Sequence, residues 1–143
     1  MTDSPARSVV YERTIPYSTM RVWRALTEPA SIAQWLYDND FRPVVGHRFQ
    51  FRGKPRPHWD GIVESEVLAV DPEKRLSYRW DASGGAPGTG LRTVVTWTLA
   101  AADGGTHVHM EQSGFRSEEE AKGPSSGWER LFNSLERVVA SLK

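Results

Sequence analysis

The sequence predicts one α+β domain in which a long C-terminal helix covers the aromatic-rich face of a curved antiparallel sheet. Three observations carry this. Apolar residues recur at every second position in successive segments between Phe49 and Met110, the period of strands with one buried face. Apolar residues then recur at helical spacing through Trp128, Leu131, Phe132, Leu135, Val139 and Leu142, about 15 residues or roughly 22 Å of helix. The chain has 143 residues, the size of one domain, and such a domain buries roughly 68–70% of the surface its unfolded chain exposes.

Taken in order, a polar leader over residues 1–8, containing Pro5, is expected to be flexible and to precede a domain over residues 9–143. Val9 to Ile15 reads as a strand ended by Pro16, which holds its predecessor extended. Ser18 or Thr19 can cap a short helix carrying Val22, Trp23 and Leu26. Pro29 opens a second short helix with Ile32, Trp35 and Leu36 on one face. After the Val45-Gly46 turn, Phe49 and Phe51 alternate with Arg48, Gln50 and Arg52. Gly53 to His58, with two prolines, reads as a connection into a strand from Trp59 to Val70, with Val63 and Val67 on one face. Asp71 to Lys74 turns the chain into Leu76, Tyr78 and Trp80. Asp81 to Gly90 is a Gly-rich hairpin loop, with gating of a cavity mouth as a weaker reading. Val95, Trp97 and Leu99 then face Val108 and Met110 across the Asp103-Gly104-Gly105 turn. The acidic run from Glu118 to Glu120 reads as a solvated face. Ser126 and Glu129 have the spacing of a capping box, which places the start of the last helix near Trp128 and its end near Leu142.

Composition excludes several function classes. Lys plus Arg equals Asp plus Glu at 18 each, so no global field draws the chain to nucleic acid or to an acidic membrane surface. With no cysteine there are no disulfides, no thiolate nucleophile and no Cys-based zinc site, in keeping with a reducing compartment. No apolar run has the length of a signal-peptide core or a membrane span, so a cytoplasmic location is expected. The six tryptophans mean that large rings fill much of the interior.

Specific wording goes beyond pattern. Arg21-Val22-Trp23-Arg24-Ala25-Leu26-Thr27-Glu28-Pro29 is followed by Gln34-Trp35-Leu36, and Gly61-Ile62-Val63-Glu64 leads to Val70-Asp71-Pro72-Glu73-Lys74-Arg75-Leu76-Ser77-Tyr78-Arg79-Trp80. Later come Val95 to Leu99, Gly105 to Met110, Ser113-Gly114-Phe115 and Gly127-Trp128. In this order, from about Val9 to the C-terminus, these motifs resemble the bacterial single-domain members of the family named for the activator of the heat-shock-protein ATPase homologue. That family lies within the START-like (SRPBCC) superfamily. The resemblance implies the helix-grip fold of the birch pollen allergen: a curved antiparallel sheet of about six strands, two short helices and a long C-terminal helix. It also implies an apolar cavity for a small ligand or, from the family name, contact with a chaperone in a stress response. Many relatives have a histidine where this chain has Gln112 near the end of its strand, so no acid–base role is carried over there.

Under the resemblance, Trp35, Phe49, Phe51, Val63, Tyr78, Trp80, Val95, Trp97, Val108, Met110 and Gln112 are expected to face Trp128, Leu131, Phe132 and Leu135 across a ligand cavity. The same alternation fits a filled core equally well. The polar tips of Tyr78, the indoles and Gln112 could orient a small hydrophobic or aromatic molecule. His107 and His109 have a chelating spacing with Glu111 beyond them, but their strand face is expected to meet solvent and no further ligand is evident. His47 and His58 fall in turns, and Ser113, Ser125 and Ser126 have no histidine at motif spacing. No catalytic residue, metal ligand or cofactor is therefore assigned. Non-covalent ligand binding leads, ahead of a chaperone-associated role and of the cyclase- or hydrolase-like activities the superfamily also contains.

Overall fold

The computed structural model describes residues 7–57, 59–82 and 90–142. Ten elements follow one another: β1 (Arg7–Ile15), α1 (Thr19–Thr27), α2 (Pro29–Trp35), β2 (Asp38–Asn39), β3 (Arg48–Arg52), β4 (Ile62–Asp71), β5 (Arg75–Ala82), β6 (Leu91–Ala102), β7 (Gly105–Phe115) and α3 (Glu118–Ser141). The strands form one antiparallel sheet in the order β1-β7-β6-β5-β4-β3-β2. The sequence pattern gives about six strands; the seventh is β2, whose two residues are too short to show a period. At the other end β1 begins at Arg7, so Arg7 and Ser8 belong to the sheet and not to the leader.

Local chemistry sets the two short helices. The Ser18 side chain accepts from the Arg21 N–H and caps α1, while Pro29 opens α2 and Glu28 serves as the break between them. Trp35 ties the pair together, its indole N–H donating to the Ala25 carbonyl at 2.8 Å. Both helices pack against α3. Arg21 reaches the far end of α3, where its guanidinium donates to the carbonyls of Val139, Ala140 and Leu142. The Val139 carbonyl also accepts the Leu142 N–H at 3.2 Å, and a cation at this end of the helix complements its dipole.

The long helix corrects the expected boundary. It starts at Glu118, not near Trp128, and Ser117 rather than Ser126 is its N-cap. Ser117 accepts from the Glu120 N–H at 3.1 Å, and the Glu120 carboxylate reaches back to the Arg116 N–H at 2.8 Å. The first bond is one half of a capping box, displaced from the Ser126–Glu129 pair; the Glu120 carboxylate bonds the N–H of the residue before the cap and not that of Ser117 itself. The acidic run is thus the first turn of the helix, where negative charge complements the dipole. Pro124 lies inside α3 and, lacking an N–H, withholds one donor from the preceding turn. The helix continues through this position, with Ser117 capping it upstream and Trp128, Phe132 and Leu135 buried downstream.

The core lies between the sheet and α3. Along β3 to β7 the inward positions are Phe49, Phe51, Val63, Val67, Leu76, Tyr78, Val95, Trp97, Val108 and Met110, all buried. Trp128, Phe132, Leu135 and Val139 of α3 meet them, also buried. Across β5 and β6, Leu76 pairs with Trp97 and Tyr78 with Val95, so the aromatic rows share one face. A register shift between Val67 and Ala69 in β4 marks a bulge, a device that increases local bend and twist.

Candidate functional site

The rings under the middle of α3 are buried against one another. Trp97 is fully buried, with its ring centroid 5.6 Å from Trp35, 5.7 Å from Trp128 and 5.5 Å from Phe132. Phe49, Phe51 and Tyr78 form a second cluster with centroids 5.1–6.0 Å apart. Most polar tips here are turned on one another. The Trp97 indole donates to the Tyr78 hydroxyl at 3.0 Å, and burial pushes that phenol well above its usual range. The Trp128 indole donates to Gln112 Oε1 at 2.8 Å, Gln112 Nε2 donates to the Thr93 hydroxyl at 3.0 Å, and Thr93 donates to the Trp80 carbonyl at 2.8 Å. Of the predicted cavity residues, Trp35, Phe49, Phe51, Val63, Tyr78, Val95, Trp97, Val108, Met110, Phe132 and Leu135 are buried from solvent.

Open space lies at one end of this core. A cleft of about 310 Å³ is lined by Tyr37, Arg56, Trp80, Gln112, Pro124, Gly127, Trp128, Arg130 and Leu131. Four predicted residues, Trp80, Gln112, Trp128 and Leu131, meet there. Tyr37, Arg56, Pro124, Gly127 and Arg130 were not expected. Tyr37 directly follows the Gln34-Trp35-Leu36 motif, but no period reveals its direction. Pro124 and Gly127 become wall residues because α3 begins earlier than its apolar stripe.

The loop between β3 and β4 brings Arg56 to the cleft. Arg56 and Trp59 form a small antiparallel bridge, with backbone bonds of 2.7 and 3.0 Å. The Trp59 indole donates to the Ile62 carbonyl at 2.9 Å, and its ring packs 5.5 Å from Tyr37, which in turn lies 6.4 Å from Trp80. Gly53 and Gly61 permit this closeness. A Cβ on Gly53 would sit 2.8 Å from the Tyr37 ring, and one on Gly61, at φ +88, would sit 2.6 Å from the Gly53 carbonyl oxygen.

Chemically the cleft offers three aromatic faces, aliphatic surface, one amide and two guanidinium groups; among the described residues that line it, none is a carboxylate or an imidazole. Such a lining suits recognition by stacking and hydrogen-bond donation. The histidine pair lies elsewhere: His107 Nε2 is 2.7 Å from Glu12 Oε1 on the neighbouring strand. No group of three or more metal-type side chains occurs among the described residues. Nor, among them, is any helix long and apolar enough to cross a membrane. His58 and most of the Gly-rich loop fall outside the described residues.

A curved antiparallel sheet gripping a long C-terminal helix, with a cleft at one end of their interface, defines a START-like helix-grip protein. Residues 16–140 match the family model described as Activator of Hsp90 ATPase homolog 1-like protein, and the chain belongs to that family. A solved protein from Mesorhizobium loti is 44% identical, with a TM-score of 0.87 over 96% of this chain and 99% of its own. A protein encoded in the dynemicin biosynthetic locus is 26% identical, with a TM-score of 0.79; the match covers 96% of this chain but 48% of that one. A Rhizobium loti protein shares the fold at 21% identity and a TM-score of 0.80, over 94% of this chain and 97% of its own. No curated protein matches the sequence.

Proposed function

We propose that this domain reversibly binds a small, flat, apolar or aromatic molecule in the cleft between Tyr37, Trp80, Trp128 and Leu131. The observation that supports this most directly is the contrast in packing: interior rings are closed over, whereas Tyr37, Trp80 and Leu131 remain partly exposed around about 310 Å³. That volume is at the lower end of small-molecule sites. Burial of a ligand's faces between rings supplies the driving force at roughly 25 cal/mol per Å² of apolar area. Gln112 holds the Trp128 indole in place, so one wall is organised before any ligand arrives. The relative from a biosynthetic locus is in keeping with a small-molecule role.

An NMR titration with a panel of naphthalene-sized aromatics, flavonoids and single-chain lipids tests the reading. The indole N–H signals of Trp80 and Trp128 are expected to move, and that of Trp97 to stay near its original position. No movement with any class, in folded protein, would count against binding at this cleft.

A further inference from the structure

Resting on the binding reading above, we infer that the cleft selects anions: its ligand is an aromatic or apolar molecule bearing a carboxylate or equivalent acidic group, held by Arg56 and Arg130. The chain as a whole is balanced, with 18 basic and 18 acidic side chains, yet the described residues lining the cleft include two cations and no anion. Five other arginines are paired with carboxylates: Arg13 with Glu136, Arg24 with Glu28, Arg52 with Asp40, Arg79 with Asp81 and Arg116 with Glu120. Arg56 and Arg130 have no carboxylate in ion-pair reach among the described residues. A second groove, between β1 and α3, differs in that its lining includes a carboxylate: Glu136 stands there beside Arg13 and Arg137 and pairs with Arg13.

The two guanidiniums are carried by fixed backbone. Arg56 is pinned by its bridge to Trp59, whose ring packs on the cleft-lining Tyr37. Arg130 stands on α3 between the lining residues Trp128 and Leu131. A planar fork with fixed donors matches a carboxylate and can engage it by two parallel bonds. Gln112 adds to the donor character: its Oε1 is occupied by the Trp128 indole, whereas its amide nitrogen carries two hydrogens and makes one bond, to Thr93, among the described residues. Rings to cover a flat body and donors to receive an acceptor thus converge on one cleft. A cationic ligand would meet two like charges there.

Calorimetric titration with naphthoate, its neutral carboxamide and naphthylmethylammonium separates this inference from the reading beneath it. Naphthoate is expected to bind about tenfold more tightly than the carboxamide, the order of a hydrogen bond to a charged group. The ammonium should bind most weakly, and added salt should narrow the difference. In the Arg56→Gln, Arg130→Gln double variant, the preference for carboxylate over carboxamide should disappear; the corresponding lysine variants should keep part of it. Both arginines are exposed, so folding should be unaffected. Equal binding of naphthoate and carboxamide, or an unchanged preference in the double variant, overturns the charge selection while leaving the apolar cleft standing. No heat and no indole shift with any of the three overturns both.

Discussion

Tyr78 and Trp80 are two positions apart on the same face of β5, yet they belong to different regions. Tyr78 is 3% exposed, surrounded by Phe41, Phe49 and Phe51, and its hydroxyl is bonded to Trp97. Trp80 keeps part of its ring open to the cleft, with Tyr37 and Trp128 beside it. The helix repeats the difference: Phe132 and Leu135 are closed in, while Leu131 is partly open. One periodic pattern therefore supplies a closed core and an open wall. Stability should be concentrated in the first, and ligand response in the second.

Substitutions can break that division. The largest effect is expected from Trp97→Ala, which removes a fully buried ring contacting both helix and sheet; urea unfolding should register about 3–5 kcal/mol. Should Trp80→Ala cost as much, the two regions would not differ as argued. Gln112→Leu tests the seam between them, because it strips the Trp128 indole and the Thr93 hydroxyl of a buried partner. A loss of about 1–3 kcal/mol is expected, together with a displaced Trp128 indole resonance.

Alkaline unfolding sharpens the comparison further. The Tyr78 phenol is raised by burial, so above the ordinary tyrosine range the unfolded chain releases that proton while the folded chain keeps it. The unfolded state then binds fewer protons, and stability falls as pH rises beyond about 10, by at most about 1.4 kcal/mol per pH unit from this group. Tyr78→Phe should flatten this part of the profile, whatever it costs at neutral pH through the Trp97 indole. The smallest stability effect is expected from Trp80→Ala, about 1 kcal/mol by thermal or urea unfolding. Its effect on aromatic-ligand affinity should nevertheless exceed that of Arg79→Ala, whose side chain pairs with Asp81 and does not line the cleft.

Much of the fold was legible because alternation and helical spacing report burial directly. The rows Phe49/Phe51, Tyr78/Trp80 and Val95/Trp97 and the stripe Trp128/Phe132/Leu135 required a sheet against a helix. The short β2 and the first turns of α3 were not legible. Two residues hold no period, and the first turns of α3 precede the apolar stripe that begins at Trp128, so only the Ser117 and Glu120 contacts mark their start.

The candidate site divides along the same line. Sequence alone determined the supply of inward rings, the balanced charge and the absence of thiol chemistry, since each follows from residue identity or local period. Only the tertiary structure decided which rings close over one another and which leave room. It also decided that Tyr37, Arg56 and Arg130, far apart in the chain and on no shared period, meet at one cleft. Periodicity fixes the face a side chain takes on its own element; packing among elements fixes what stands opposite it.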